Sequence, residues 1–252
     1  MIATAAFAAL LGLLVGSFLN VVAHRLPSGT SVVAGRSMCP GCGATIRAYD
    51  NVPVLSWLVL RGRCRDCAAP ISARYPVVEA GTALLVAAVV LVHADDLPRL
   101  VLGVVLVVLL VPMALIDLDH RIIPNKLTGP AAVLALVLGT ALDPGGEVGR
   151  VLSGLGAGGF FLLAALASPG GMGMGDVKLA GVLGLFLGAP VAIALIVALV
   201  AGVLVGAGII ASRGMAAGRK TAVPFGPFLA LGGVVALLAG EPLVALYGGL
   251  FA

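Results

Sequence analysis

The sequence predicts an all-α fold, a polytopic membrane helix bundle of about eight spans with a small cysteine-bearing insert after the first. Three observations lead there. Apolar residues make up 61% of the 252 residues and charged residues only 10%, against roughly 25% charged in an ordinary soluble domain. Mean hydropathy is +1.19, more apolar surface than a soluble core of this size can hide. The apolar runs lack alternating polar positions, which argues against a β-barrel. A net charge of +4 would suggest nucleic acid in a soluble chain. Here the basic residues flank apolar spans, so they are read as orientation signals, with the lipid bilayer and no nucleic acid as partner.

The first span is expected from residue 1 to about 24. No Lys or Arg precedes Arg25, so the stretch lacks the basic start of a secretory signal and is read as a retained anchor with its N-terminus outside. Residues 25–75 form the only extended polar stretch and hold seven of the fifteen basic residues and all four cysteines. Further spans are expected over about Pro76 to Val92, Arg99 to Ile116, Leu127 to Leu142 and Val148 to Ala167. Next come a glycine-rich loop from Ser168 to Gly175 and a short sixth span from Asp176 to Leu187. The last two run from Val191 to Ala211 and, after a basic loop from Ser212 to Thr221, from Ala222 to Leu238. With the cysteine segment inside the cell, thirteen basic residues fall on the cytoplasmic side, leaving only Arg99 and Arg150 outside. The inverse orientation breaks the positive-inside rule thirteen times. The predicted location is therefore the cytoplasmic (inner) membrane, with the insert facing the cytoplasm.

Cys39 and Cys42, then Cys64 and Cys67, form two CxxC knuckles with 21 residues between them, a zinc-ribbon-like spacing. Four thiolates close a tetrahedral structural site without an open position, so structural zinc is expected. Two disulfides compete with that reading, but a reducing cytosol disfavours them.

Ionisable groups at the rim of a span are costly and usually functional. Asp117 closes the third expected span and Asp176 opens the sixth, which puts both at one membrane face. Two carboxyl groups side by side away from bulk water share a proton, so one serves as base while the other serves as acid. That is the chemistry of an aspartic protease. Gly173 and Gly175, just before Asp176, let a substrate strand or partner helix approach the backbone. The bland readings are that Asp176 merely caps its helix and Asp117 is a solvated rim residue. Asp119 competes with Asp117, but two positions apart on a continuing helix they face nearly opposite sides. Asp119 is thus read as support for the pair, and Lys178 as a partner of phosphate headgroups or of Asp176.

With these residues in view, the chain resembles the bacterial type IV prepilin peptidase/N-methyltransferase family of intramembrane Gly-x-Gly-Asp proteases. Gly16 to Pro27, Cys39 to Cys42, Asn51 to Leu58, Arg61 to Cys64, Pro70 to Glu79, Ile116 to Pro124, Gly171 to Lys178 and Pro224 to Phe228 carry the resemblance, in family order. It implies type IV prepilin or pseudopilin substrates, cut after a glycine at the cytoplasmic face, and places the family's catalytic aspartates on Asp117 and Asp176 within a 76–252 peptidase core. The cysteine module accompanies the two-activity form, which implies methylation of the new N-terminus from S-adenosylmethionine. No glycine-rich fingerprint marks a donor pocket, and Gly62, Arg74, Glu79 and Asn20 are loose candidates. Asn125 stands where many relatives have Asp. A rival class is an ion- or proton-coupled transporter using Asp117 and Asp176, which leaves the cysteines without purpose. A zinc-dependent assembly factor without catalysis is a third.

Overall fold

The computed structural model describes residues 1–167, 171–214 and 223–249, the side chains of 241 and 245–249 excepted. Ser168 to Gly170 of the glycine-rich loop, and Arg219 and Lys220 of the basic loop, lie outside the described residues. Among the described residues the only β-pairing is two isolated bridges, and everything else regular is helical. Helices α1 (Ile2–Arg25), α3 (Arg74–Val92), α4 (Leu97–His120), α5 (Asn125–Leu142), α6 (Glu147–Ala167), α7 (Met174–Leu187), α8 (Val191–Arg213) and α9 (Gly226–Gly249) occupy the eight expected spans, and α2 (Leu55–Val59) lies in the insert. Six of the eight are long and apolar enough to cross a membrane; α7 is shorter, and α9 is apolar over Gly226–Gly240. The chain is a multi-pass membrane protein.

Two compact units divide the chain, residues 1–94 and 95–252. In the first, α1 and α3 pack closely. A Cβ on Gly12 would lie 2.7 Å from the Cα of Ala83, and one on Gly16 would lie 2.8 Å from the Cα of Glu79. Two glycines four apart thus bring the backbones together, which is how helices associate in lipid, where apolar surface gives no drive. Between them sits the insert, two knuckles closed by the bridges Met38–Thr45 and Arg63–Pro70.

In the second unit α7 is central and packs on α4, α5, α6, α8 and α9. Leu179, Ala180 and Leu183 of α7 are fully buried, beside Leu106, Leu110, Met113 and Ile116 of α4, Phe161 of α6 and Leu229 of α9. From Leu179 onward α7 is apolar all round and enclosed by protein, and such a helix need not be matched to the bilayer thickness, which accounts for its 14 residues. Gly184 touches the backbone of Ser153 and Gly154, setting α6 directly on α7.

Three boundaries differ from expectation by four residues or more, one of them the start of α9, which lies at Gly226 where about Ala222 is expected. Helix α4 runs past Ile116 through Asp117 to His120, because the chain leaves it only at Arg121, which takes a left-handed cap (φ 55°) with its amide donating to the Asp117 carbonyl. Helix α9 continues through Pro242 to Gly249 instead of stopping at Leu238.

Candidate active site

Asp117 lies on the inner face of α4, 5% exposed, while Asp119, two residues on, is exposed at the helix end. The continuing helix therefore separates the two as its pitch requires. Asp117 Oδ2 accepts the backbone N–H of Gly226, the first residue of α9, at 2.8 Å. Amides at a helix start have no partner inside their helix and favour negative charge, so α9 presents its open end to this carboxylate.

Gly226 itself is fixed from behind. The Phe225 ring stacks against Phe161 of α6 (centroids 5.9 Å) and Phe228 of α9 (6.0 Å), and rests over Gly202 of α8. A Cβ on Gly226 would stand 2.7 Å from Asp117 Oδ2; only glycine lets the strand come this close. Sequence reasoning gave Gly226 no role, since an isolated turn glycine carries no chemistry of its own. The Pro224-to-Phe228 cluster was its only signal.

Asp176 is the third residue of α7, and its Oδ2 accepts the N–H of Gly173 at 3.3 Å. The capping reading is thus visible in the structure, yet it uses one oxygen only. A side chain at Gly175 would press on Ile123 (3.0 Å to its Cβ), so this glycine lets the α4–α5 connection lie against the first turn of α7. Asp176 thus stands at the end of α7 that packs on the segment leaving α4 just past Asp117. Both carboxylates have Oδ2 tied to a glycine amide, and among the described residues neither Oδ1 takes a hydrogen bond. Lys178, exposed, donates to Asn125 Oδ1 at 2.8 Å, tying α7 to the start of α5, and forms no ion pair with Asp176 among the described residues.

In the first unit, Cys39, Cys42, Cys64 and Cys67 point their sulfurs at one centre, all within 4.8 Å of one another. Each knuckle closes with the same bonds: the Cys39 and Cys64 amides donate to the Ala44 and Ala69 carbonyls, and the Gly43 and Ala68 amides return to the Cys39 and Cys64 carbonyls. The Cys39–Cys67 separation of 3.8 Å equals the edge of a tetrahedron with metal–sulfur bonds of about 2.3 Å. The donor set and geometry fit a closed four-thiolate metal site. The amides of Cys42 and Gly41 draw the Cys39 thiol down to about 7. The Ala69 amide acts the same way on Cys67 but is outweighed by Cys42, burial, Cys64 and Cys39, which push it up to about 12. A divalent ion supplies the positive charge that allows all four to be thiolates.

Of the other candidates, Asn20 is buried on α1 and donates to the Gly16 and Tyr75 carbonyls. Glu79 is buried on α3 and accepts the Val54 amide at 2.7 Å. Gly62 (φ 66°) lies under the Trp57 ring. Arg74 opens α3. Three of these four serve packing within their own unit.

Compared with known proteins, residues 10–93 match the bacterial peptidase A24 N-terminal domain, and residues 104–210 match the type IV leader peptidase family. A prepilin leader peptidase/N-methyltransferase of Aeromonas hydrophila is 37% identical, covering 94% of this chain and 91% of its own length. One from Burkholderia pseudomallei is 36% identical over 97% of this chain and 88% of its own. One from Pseudomonas aeruginosa is 35% identical over 94% and 91%. No solved structure matches the chain.

Proposed function

The chain belongs to the type IV leader peptidase family, and from that premise we propose a membrane aspartic endopeptidase that removes the leader of type IV prepilins or pseudopilins at the cytoplasmic face. The observation that supports the assignment of residues is that Asp117 and Asp176 each have one oxygen held by a glycine amide and the other open, with the α4–α5 connection packed on the first turn of α7. In the proposed reaction a water held between them attacks the scissile carbonyl. One carboxylate takes the water proton as the oxygen–carbon bond forms, and the other carboxyl gives its proton to the carbonyl oxygen. When the intermediate collapses, the carbon–nitrogen bond breaks and the leaving nitrogen takes a proton from the dyad. The two groups act as a unit, and neither is assigned base or acid alone.

Gly173, Gly175 and Gly226 support this geometry through the backbone. Lys178 acts through Asn125 to hold the start of α7, and Asp119 marks the exposed rim. The chemistry lies within the 76–252 segment. The relatives' name also supports N-methylation of the new amino terminus, with S-adenosylmethionine as the donor. Arg74 stays a candidate for its binding, along with Gly62 and Glu79. Zinc at Cys39, Cys42, Cys64 and Cys67 holds the insert folded without taking part in cleavage. Positive-inside asymmetry supports an inner-membrane location with the insert and dyad facing the cytoplasm and the N-terminus outside. A transporter reading gains no support from any relative.

Asp117→Asn and Asp176→Asn, each purified and checked for folding by its melting profile, test the assignment. Each is expected to lower prepilin cleavage by at least about 10³-fold while leaving S-adenosylmethionine-dependent methylation of pre-cut pilin in place. Cleavage that survives either replacement removes that residue from the reaction.

A further inference from the structure

The insert contains one short helix whose hydrophobic side is turned outward. Leu55, Leu58 and Val59 of α2 are 61%, 57% and 77% exposed, and their spacing, i, i+3 and i+4, sets them on one face. Val52, one turn earlier, is exposed as well. Arg61 and Arg63 follow at once; both are exposed, and among the described residues neither is in an ion pair. In a soluble module, three large apolar side chains on a five-residue helix would be a liability. This module, however, is tethered at both ends to membrane-crossing helices, α1 ending at Arg25 and α3 starting at Arg74.

The depth of α2 follows from what holds it. Its N-cap, Val54, has φ 60° and ψ −51°, a conformation unusual for a β-branched residue and kept only where the surroundings impose it. What imposes it is the buried carboxylate of Glu79, which accepts the Val54 amide at 2.7 Å. Glu79 lies five residues into α3, about 7 Å along its axis. It also faces Gly16, nine residues before the end of α1, which is about 13 Å inside that helix. The start of α2 is therefore level with the interior turns of two membrane helices. The headgroup layer on each side is about 5–7 Å thick, which matches the depth of Glu79 inside α3.

We propose that α2 is an interfacial helix. Its Leu55, Leu58 and Val59 face rests in the outer acyl region of the bilayer, Arg61 and Arg63 meet the phosphates of anionic phospholipids, and Glu79 is the strut that sets its depth. Amphipathic segments with basic rims settle in this layer, their apolar side about 5–10 Å deep. The proposal rests on the membrane fold alone and is independent of which residues cut the substrate.

Trp57, the only tryptophan in the chain, lies on α2 and reports its surroundings directly. The full-length protein is reconstituted in vesicles of phosphatidylcholine and phosphatidylglycerol, with or without bromine on the upper acyl carbons. Brominated lipid is expected to cut Trp57 emission at least about twofold, with aqueous iodide having little effect. Replacing Leu55, Leu58 and Val59 together by Ser is expected to abolish most of the lipid quenching and admit iodide; Leu58→Ser alone, a milder change at an exposed position, should shift both in the same direction. In Arg61→Gln/Arg63→Gln, the rise of quenching with phosphatidylglycerol content should flatten. Trp57 emission blind to brominated lipid and open to iodide overturns the proposal. So does shielding that appears only when a prepilin peptide is added, since the face would then belong to that peptide.

Discussion

Replacing Gly226 by Ala adds one carbon at the point where α9 meets Asp117. The new Cβ would stand 2.7 Å from Oδ2 and 3.1 Å from both Cβ and Cγ of Asp117. Ordinary contact begins near 3.4 Å, so the two groups must part by about 0.7 Å. Neither side yields easily. Asp117 sits in a continuous helix between fully buried Ile116 and the cap at Arg121, and Gly226 is backed by the Phe225 ring between Phe161 and Phe228. The least costly response is rotation of the carboxyl, which breaks the 2.8 Å bond to the Gly226 amide and turns Oδ1 with it. Misplacement near 1 Å costs on the order of 10²-fold in rate, which is about 2.7 kcal/mol of barrier. The loss should fall on kcat with KM little changed, because the methyl group disturbs the Asp117 carboxyl and not groups that bind the substrate elsewhere. The assay is steady-state cleavage of purified prepilin by the purified protein, with melting recorded alongside. Gly202→Ala serves as the control, since its Cβ meets the same Phe225 ring at 3.1 Å without touching Asp117. If Gly226→Ala melts normally and keeps kcat within about threefold of the parent, the glycine amide does not position Asp117. If Gly202→Ala matches its loss, packing alone is responsible.

Three further outcomes follow from the same geometry. Chelating the bound metal should unfold the insert selectively, read as loss of protease protection over residues 25–75 while the membrane helices persist; unchanged protection would leave the four cysteines without a structural ion. Ala68 occupies, in the second knuckle, the place Gly43 takes in the first, both with positive φ (58° and 71°). Ala68→Gly should therefore stabilise the metal-loaded insert by up to about 1 kcal/mol, measured by chelator challenge, because a non-glycine residue is strained there. At the α5–α6 turn, Arg150 binds Asp143 Oδ2 at 2.6 Å, and that hydrogen bond holds the Asp143 carboxyl below its ordinary 3.8. A depressed folded value gives stability that is present above the ordinary value and lost as pH falls through the lower one. The melting temperature should thus drop below about pH 4 in the parent and show a shallower acid limb in Asp143→Asn.

The apolar runs made the helices legible, because lipid demands continuous stretches of fixed length and punishes charge within them. Legibility failed where a residue's role depends on what the fold brings opposite it. Glu79 is visible in the sequence as an acid near a span, but its carboxylate meets the Val54 amide 25 residues earlier, a contact that no helical period encodes. Lys178 suggests phosphate headgroups or Asp176, its near neighbour in sequence, as partner; its ammonium reaches Asn125 at the start of α5. Asp117 and Asp119 could be separated in advance only on condition that α4 continued, and the left-handed cap at Arg121 is what lets it do so.

The glycines near the two acids explain why the site looks so sparse in sequence. A carboxylate at a membrane rim needs hydrogen bonds, and supplying them from side chains would crowd the space a substrate strand must enter. Backbone amides supply them without that bulk, but only if the donor strand comes within hydrogen-bond distance, and there a Cβ is in the way. At Gly226 the would-be Cβ falls 2.7 Å from Asp117 Oδ2, and at Gly173 it falls 3.2 Å from Asp176 Oδ2. Both acids are therefore held by the same device, a glycine N–H on one oxygen, and among the described residues the second oxygen of each takes no hydrogen bond. One such glycine lies three residues from its aspartate and can be found by motif. The other lies 109 residues away, and only the packing of α9 on α4 makes it part of the site.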